Sequence, residues 1–283
     1  MPQVLRRYLS TNPPRPGLLL VGQLQHCQPE WNALKSKYNL LQFQGDRQQF
    51  LKNCESGAFD KVLGLYRTNS IAETGNFDSP LVSMLPCTLK YIGHNGAGYD
   101  NIDVQACTER GIQISNTPGV IANATADVAM FLTLGALRYA MIPLEALLGI
   151  VGMGGIGQAL ARRARAFGMK IIYHNRTRLS EKDEGDATYM KDGVIIINTA
   201  RGPPLDEEAL VKGLHTGKVG SAGLDVYENE PKIHSELISN KKVMLLPHLG
   251  TTTVETKRKM ELLAIRNLER AIDTGELLTL IRI

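Results

Sequence analysis

Three ionisable side chains in the second half of the chain are of types that could bind a carboxylate and transfer a proton. Arg201 directly follows the apolar run Val194–Asn198, and a guanidinium there can bind a carboxylate through two parallel hydrogen bonds. His248 follows the next apolar run but one, where an imidazole can donate or accept a proton near neutral pH. Glu230 lies between them and can orient such a histidine and stabilise its charged form. For Arg201 taken alone, the alternative is a surface salt bridge. For His248 taken alone, the alternative is a loop histidine without a catalytic role.

A glycine-rich turn precedes these residues. The segment 149–157 reads GIVGMGGIG; an alanine-rich amphipathic run (158–167) and a second apolar run (169–173) follow it. Strand, glycine turn, helix and strand in this order indicate dinucleotide binding. Glycines permit the tight turn, the approach of a pyrophosphate and close helix packing, and the helix N-terminus offers amides to phosphates. The predicted cofactor contacts here are Gly152, Met153, Gly154, Gly155, Ile156 and Gly157.

The end of the second strand bears on which dinucleotide binds. An NAD site needs an acidic residue about 20 residues beyond the glycines, to bind the ribose 2′-hydroxyl. No acid stands there; Asn175, Arg176 and Thr177 do, and an arginine suits a 2′-phosphate. The sequence therefore predicts NADP(H) in preference to NAD(H), with these three residues as contacts. The alternative is that Arg176 covers the adenine face and both cofactors bind.

The elements that must position these side chains alternate between strand and helix, which predicts an α/β fold with a parallel sheet and helices on both faces. A chain of 283 residues suits two domains. We predict a substrate domain at 1–122, to which 255–283 returns, and a dinucleotide-binding domain at 123–254. The helix 123–138, with Asn123 as its N-cap, is the crossover. The predicted strands are 18–21, 61–66, 89–92, 112–115, 194–198, 221–226 and 243–246, with polar loops at 67–76 and 93–100.

Composition excludes several classes of function. The chain is 43% hydrophobic and 21% charged, as expected for a globular protein with a core. Its net charge of +4 is scattered, and the basic clusters 162–165 and 257–259 are read as solvated helix faces rather than a nucleic-acid site. No apolar stretch approaches the length of a membrane span. The expected partner is a small molecule, with neither nucleic acid nor membrane.

The cysteines and the N-terminus bear on metal binding and location. Cys27, Cys54, Cys87 and Cys107 form no ligand-spaced pair, so we expect no metal site and a reducing compartment. Residues 1–29 contain three arginines and no acid, which is similar to a mitochondrial presequence. A disordered leader is favoured because the basic periodicity is short. We therefore predict a cytoplasmic protein, with the mitochondrion as the alternative.

The chain resembles the D-isomer-specific 2-hydroxyacid dehydrogenases, and most closely the fungal glyoxylate/hydroxypyruvate reductases. The spacing of Arg201, Glu230 and His248 matches the family's Arg…Glu…His layout, and the other resembling segments are 96–103, 123–127, 149–157, 190–202, 221–231 and 247–260. The resemblance implies two Rossmann-like domains, a flavodoxin-like substrate domain and an NAD(P)-binding doubly wound parallel sheet. It also implies a homodimer formed through the helix 123–138.

The resemblance assigns a role to each site residue. Arg201 would bind the substrate carboxylate and polarise the keto oxygen, His248 would give that oxygen a proton, and Glu230 would keep His248 protonated and oriented. Backbone amides of Ala97 and Gly98 would also hold the carboxylate. Asp225 would contact the nicotinamide carboxamide. Further cofactor contacts are Thr199, Ala200 and Gly250.

The implied reaction is the NADPH-dependent reduction of a small 2-keto acid, such as glyoxylate or hydroxypyruvate, to a D-2-hydroxy acid. Loops near 67–75 and 96–99 would set substrate size. Phosphoglycerate, lactate, mandelate and formate dehydrogenases remain alternatives within the fold, although Glu230 disfavours formate dehydrogenase, which has glutamine there. A nucleotide-sensing binding protein, like the dehydrogenase-like corepressors, is the alternative from another class.

Two stretches are shorter than in the family, at 139–148 and at 187–191. The second lacks a helix, a central strand and another helix, so the nucleotide sheet should have a gap with unpartnered backbone groups. Either the sequence lacks residues that the natural protein carries, or the protein is a shortened and weakly active form. The missing central strand favours the first explanation.

Overall fold

The chain folds into two compact units, residues Met1–Thr117 with Met260–Ile283, and Pro118–Lys259. The computed structural model describes residues 15–139, 147–174 and 193–282. The predicted domain boundaries lay after residues 122 and 254, a few residues from the junctions that the structure has.

The first unit is built on a parallel sheet of five strands. The strands are β1 (Gly17–Val21), β2 (Asn39–Phe43), β3 (Val62–Thr68), β4 (Tyr91–Asn95) and β5 (Gln113–Ser115). Their order, β2-β1-β3-β4-β5, is the flavodoxin-like arrangement that the resemblance implies. Apolar side chains from the strands and the covering helices form its core on both faces. The helical elements are α1 (Gln28–Ala33), a 3₁₀ turn (Leu34–Ser36), α2 (Arg47–Glu55), α3 (Ser79–Met84) and α4 (Val104–Glu109).

Aspartates fix where helices of this unit begin. Asp46, Asp78 and Asp103 each stand at an N-cap and accept a hydrogen bond from the amide three residues on. Asp78 also pairs with Arg47. Partial burial pulls the pKa of Asp78 upward, but the hydrogen bonds from the Leu81 amide and from Arg47 outweigh it and hold the pKa below its usual value.

The last helix, α9 (Val254–Thr274), completes the first unit from Met260 onward. Ala264, Ile265 and Leu268 are buried in the same cluster as Trp31. The carboxylate of Glu261 is 4% exposed and accepts the amides of three successive residues before α1, Gln25, His26 and Cys27, at 2.8–2.9 Å. Because this carboxylate satisfies three backbone donors, it fixes the start of α1.

The second unit has a core in which a long helix packs on parallel strands. The helix α5 (Ala122–Tyr139) contributes Ala126, Ala129 and Met130 to a cluster with the glycine-turn helix. The remaining elements are β6 (Leu147–Val151), α6 (Gly155–Ala166), β7 (Lys170–His174), β8 (Val194–Asn198), α7 (Glu207–Thr216), β9 (Val219–Leu224), α8 (Ser235–Ser239) and β10 (Val243–Leu245).

Over residues 147–174 and 193–259, the sheet of this second unit is in two pieces. Within the described residues β6 pairs with β7, and β10, β9 and β8 form a separate parallel set. The apolar residues of β8 are only half-buried, and Val151 at the end of β6 is 85% exposed. A doubly wound sheet normally runs continuously, so this division agrees with the gap expected from the shortened sequence.

Several local expectations need correction. Asn123 lies inside α5 rather than at its N-cap, because the helix already begins at Ala122. Arg67 belongs to β3 and is 1% exposed, whereas its charge predicts a position in the polar loop 67–76. Likewise, 93–95 belong to β4. The elements β2, α2, α3 and α8 were not predicted, and each is short or carries few apolar residues in a regular pattern.

Candidate active site

The candidate catalytic residues lie on loops that follow neighbouring strands of the second unit. Asn198, Leu224 and Leu245 stand side by side at the carboxyl ends of β8, β9 and β10. Arg201, Glu230 and His248 lie on the loops that leave these three ends. Ligands of open α/β sheets bind at this edge.

Glu230 and His248 form a hydrogen-bonded pair. Glu230 Oε2 lies 2.9 Å from His248 Nδ1, and Oε1 accepts the amide of Tyr227 at 3.0 Å. Both carboxylate oxygens are therefore used to fix the acid and the ring. His248 Nε2 has no protein partner within the described residues, so this nitrogen is the one available to a ligand. His248 also has a φ of 54°, a left-handed conformation that non-glycine residues adopt at a cost and that concentrates at functional sites.

Asp225 holds the loop that carries His248. It is 1% exposed, and its two carboxylate oxygens accept the amides of Leu249 at 2.6 Å and Gly250 at 2.8 Å. The hydroxyl of Tyr227 donates to the carbonyl of Leu246 at 2.7 Å on the same loop, and burial raises the pKa of that tyrosine to about 12. The structure thus shows Asp225 as a support for the histidine loop. Its contact with a nicotinamide stays a prediction.

Arg201 is placed by a tight turn at the end of β8. The side chain of Asn198 accepts the amide of Ala200 at 3.1 Å and donates to the carbonyl of Arg201 at 2.8 Å. Gly202, the next residue, is buried against the backbone of the neighbouring loop, where a methyl group would overlap the carbonyl of Tyr227. The Arg201 turn therefore packs directly on the loop that leads to Glu230. The Arg201 Nη1 donates to the Ala200 carbonyl at 2.7 Å.

Glu207 is a positioning residue that the sequence analysis missed. This carboxylate is 5% exposed at the start of α7, and it accepts the amides of Glu228 at 2.8 Å and His234 at 3.3 Å. These amides lie on either side of Glu230, so Glu207 braces the loop that carries the catalytic acid. In the sequence, Glu207 is only an acidic residue in the first turn of a helix, where the helix dipole favours acidic residues without any functional role. Only the fold reveals its partners.

The glycine turn has the geometry that a pyrophosphate needs. Gly152 has a φ of 92°, and a methyl group on Gly154 would meet nothing within 4 Å. A methyl group on Gly157 would overlap the Gly152 carbonyl, so the helix packs closely on the turn. Gly154 is the N-cap of α6 and offers no side-chain acceptor to the first amides of that helix. These residues fit a dinucleotide phosphate, bound by backbone amides and the helix dipole. Met153 is buried, and Gly155 and Ile156 begin the helix.

Other predicted residues fall elsewhere. Asn175, Arg176 and Thr177 lie outside the described residues. Ala97 and Gly98 lie in the first unit, on the loop after β4. Thr199 and Ala200 are on the Arg201 turn, and Gly250 is next to the Asp225 carboxylate.

Among the residues that the structure describes, no group of His, Cys, Asp or Glu is arranged to hold a metal. None of the helices in this part of the chain is both long and apolar enough to span a bilayer.

Comparison with known proteins identifies the class. The family model for the D-isomer specific 2-hydroxyacid dehydrogenase, catalytic domain, matches residues 27–282. The chain belongs to this family, whose members are oxidoreductases that use NAD(P). The family, the α/β fold and the oxidoreductase class predicted from the sequence are thereby confirmed.

Its relatives include a reductase and two solved structures. The chain is 48% identical to 4-methyl-2-oxopentanoate reductase A of Aspergillus oryzae, over 94% of this chain and 98% of that protein. It is similar to the crystal structure of a glyoxylate reductase from Paecilomyes thermophila, with a TM-score of 0.88, 47% identity and coverage of 95% and 98%. A third relative is the NADPH-dependent glyoxylate/hydroxypyruvate reductase of Sinorhizobium meliloti, with a TM-score of 0.79, 28% identity and coverage of 94% and 97%.

The alignment with the Aspergillus oryzae relative also bears on chain length. It runs over 321 positions, more than the 283 residues of this chain. The relative therefore carries residues that have no counterpart here. This agrees with the shortened stretches expected from the sequence and with the divided sheet.

Proposed function

We propose that this protein reduces small 2-keto acids of the glyoxylate and hydroxypyruvate type to D-2-hydroxy acids with NADPH. The observation that carries the proposal is the Glu230–His248 hydrogen bond, which leaves Nε2 available at the ligand-binding edge of the sheet. Family membership and the backbone geometry of the glycine turn support it.

The residues divide the work of the reaction. Arg201 binds the carboxylate of the keto acid and polarises the carbonyl. His248 gives a proton from Nε2 to the keto oxygen, and Glu230 orients the ring and stabilises its positive charge. Amides of Ala97 and Gly98 also hold the carboxylate. The nicotinamide, when bound, supplies the hydride that C2 receives, so one hydride and one proton convert the carbonyl to an alcohol. A cationic clamp suits this step because the oxygen gains negative charge.

NADP(H) is the proposed cofactor, with NAD(H) as a weaker one. Arg176 supports this choice, since a guanidinium can pair with a 2′-phosphate. The Sinorhizobium meliloti relative is named as NADPH-dependent. The remaining proposed contacts are those at the glycine turn, the Arg201 turn, Asp225 and Gly250.

A second candidate substrate is 4-methyl-2-oxopentanoate. It is favoured by the 48% identity with the Aspergillus oryzae reductase that bears this name. The reaction chemistry is unchanged, because both substrate types present a carboxylate beside a keto group. They differ only in the group on the far side of C2.

The test is NADPH consumption by the purified full chain with glyoxylate, hydroxypyruvate and 4-methyl-2-oxopentanoate, followed by chiral analysis of the product. We expect turnover that depends on the keto acid and yields the D-isomer. Binding of NADPH without turnover of any of the three acids would refute the reductase. It would favour the nucleotide-sensing alternative or the shortened, inactive form.

We also propose that the protein is a cytoplasmic homodimer. On α5, Phe131 and Tyr139 are each 54% exposed, and large exposed aromatic side chains are enriched at interfaces. Light scattering should give twice the 31.1 kDa chain mass, whereas a monomer mass would refute the dimer. A C-terminal fluorescent fusion should be found in the cytoplasm. Mitochondrial import would instead support the presequence alternative.

A further inference from the structure

The loop from Gly96 to Tyr99 has every carbonyl held by the first unit. Each of the four carbonyl oxygens accepts a hydrogen bond from a different donor. The pairs are Gly96 with Thr117 N (2.9 Å), Ala97 with Asn116 Nδ2 (2.7 Å), Gly98 with His94 Nε2 (2.9 Å) and Tyr99 with Ile102 N (3.0 Å). The carbonyl side of this loop is therefore fixed by the fold.

Fixing the carbonyls also fixes the amides. A trans peptide is planar, so the N–H of one residue points away from the carbonyl of the residue before it. The amides of Ala97 and Gly98 have no acceptor within the described residues. They therefore lie on the side of the loop opposite the donors, where successive free amides favour an anion.

Among the side chains that hold this loop, His94 is fully buried, and Arg67 fixes the orientation of its ring. His94 Nδ1 lies 3.3 Å from Nη1 of Arg67, and a guanidinium can only donate. Nδ1 is therefore the acceptor, and Nε2 carries the hydrogen that it donates to the Gly98 carbonyl. The hydrogen bonds run in one direction, from Arg67 through His94 to Gly98.

Arg67 connects this loop to the segment after β3. It donates to the carbonyls of Thr68 at 3.2 Å and Gly75 at 3.3 Å, and its guanidinium carbon lies 4.8 Å from the centroid of Phe77. Burial lowers the pKa of Arg67 to about 10, and the charge of Glu73 opposes this shift. A buried cation with carbonyl, imidazole and ring partners holds the surrounding backbone in one arrangement.

Gly96 shows how closely the ring is packed. A methyl group on this glycine would overlap His94 Nε2 and lie 3.0 Å from Asn69 Oδ1. The loop therefore passes directly over the imidazole, and a ring in another orientation would displace it.

We propose that Arg67 and His94 are positioning residues that aim the amides of Ala97 and Gly98 at the carboxylate of the 2-keto acid. The proposal rests on the proposed function, since it deepens the role of the same loop. It joins the two segments predicted to set substrate size, 67–75 and 96–99, through one buried pair.

Steady-state kinetics of His94→Phe and His94→Gln test this role. Phenylalanine removes both hydrogen bonds of the His94 ring, so the loop no longer aims its amides at the carboxylate. We expect the KM for glyoxylate to rise about tenfold, which corresponds to the loss of one hydrogen bond between an amide and the carboxylate. The kcat and the KM for NADPH should change little, because the carboxylate is bound in both ground and transition states. Glutamine retains an amide donor for Gly98 and should recover part of the affinity.

The matched control is Tyr38→Phe in the same unit. Tyr38 stands directly before β2 and donates a hydrogen bond to Asp273 of α9, which the substitution removes. It should leave the KM for glyoxylate unchanged. If His94→Phe lowers kcat and leaves this KM unchanged, as a merely structural role predicts, the proposal is overturned. If His94→Phe does not fold, Arg67→Lys is measured instead and should raise the same KM.

Hydrogen exchange tests the proposal without turnover. The amides of Thr117 and Ile102, which donate to the carbonyls of Gly96 and Tyr99, should exchange faster in His94→Phe than in the wild type, and Tyr38→Phe should leave them unchanged. A wild type that turns over no keto acid refutes the proposed function, while faster exchange in His94→Phe would still support the positioning of the loop. Unchanged exchange at Thr117 and Ile102 would refute that positioning.

Discussion

At the scale of single residues, the chemistry depends on hydrogen bonds that fix charged side chains before a ligand arrives. Glu230 uses one oxygen for the Tyr227 amide and the other for His248. Asp225 uses both oxygens for the loop beyond His248. The histidine is thus held from its ring and from its backbone. Such preorganisation lowers the cost of placing a proton donor at the reacting atom.

Cofactor choice is also decided at this scale. Replacing Arg176 by Asp should raise the KM for NADPH by about 10–100-fold, because one charge-assisted hydrogen bond to the 2′-phosphate is lost. The KM for NADH should fall or stay the same. Parallel assays with the two cofactors measure the ratio. An unchanged KM for NADPH would mean that Arg176 does not read the phosphate.

The residue types and spacing were sufficient to identify Arg201, Glu230 and His248 as candidates, since each stands beyond an apolar strand. Their supports were not predictable in the same way. Glu207 meets the amides of Glu228 and His234 only because β8, β9 and their loops lie side by side. Nothing in the local pattern distinguishes it from the exposed Glu208.

At the scale of elements, the loop between β9 and α8 must keep one conformation because it carries Glu230. In Glu207→Gln one of the two amides bound by the carboxylate faces an NH₂ group and loses its acceptor, at a cost of about 1–3 kcal/mol. We expect a lower unfolding free energy and a lower kcat, with unchanged affinity for NADPH. Denaturant unfolding, kinetics and cofactor titration give these quantities.

Glu208→Gln is the matched control for this prediction. The same change is made one residue along, on a side chain that is 85% exposed and whose hydrogen-bond partner is the His234 ring. It should leave stability and kcat at wild-type values. Equal effects of the two substitutions would contradict the role assigned to Glu207.

Helix α3 gives a prediction about pH. The pKa of Asp78 is lowered in the folded state, so its charge stabilises the fold at neutral pH, and this contribution disappears as the pH falls through the lowered pKa. Asp78→Asn retains a capping side chain but loses the charge. Because the Arg47 pair is partly exposed, we expect a loss of only about 0.5 kcal/mol at pH 7.

Unfolding free energies measured at neutral and at acid pH check this expectation. The difference between wild type and Asp78→Asn should shrink as the pH is lowered below the usual aspartate pKa. A difference that is constant with pH would show that the charge of Asp78 contributes nothing.

Element types followed from the sequence more readily than element limits. The strand β8 (Val194–Asn198) has the predicted bounds because four apolar residues are followed by a turn-forming asparagine. Arg67 was assigned to a loop because its charge is a poor fit to a buried strand. Its partners, Phe77, His94 and the Gly75 carbonyl, are distant in sequence and become visible only once the sheet is assembled.

At the scale of the whole molecule, the sheet of the second unit is divided in the part of the chain that the structure describes. The half-buried apolar residues of β8 and the 85% exposed Val151 are the surfaces that a further strand would cover. The Aspergillus oryzae relative carries residues that have no counterpart here. The family fold was predictable from motifs because they stand at strand ends, but the effect of missing residues on the sheet required the structure.

Restoring the segment tests this view of the sheet. A chimera that receives the Aspergillus oryzae residues lacking a counterpart here should unfold at a higher temperature and bind NADPH more tightly, because burial of apolar strand surface is stabilising. A glycine–serine insert of the same length is the control. A chimera no more stable than the control would contradict the inferred gap. The mass of the protein from its natural source, compared with 31.1 kDa, would show whether the segment is present there.

The most direct test of the central claim is the kcat of His248→Gln with NADPH and the 2-keto acid that the wild type reduces fastest. Loss of the proton donor should lower kcat by on the order of 10²–10⁴-fold and leave NADPH binding unchanged. His215→Gln, which removes the histidine of a surface pair with Glu236, should keep the wild-type kcat. A wild-type kcat in His248→Gln would contradict the assignment of the Glu230–His248 pair as the proton-donating centre.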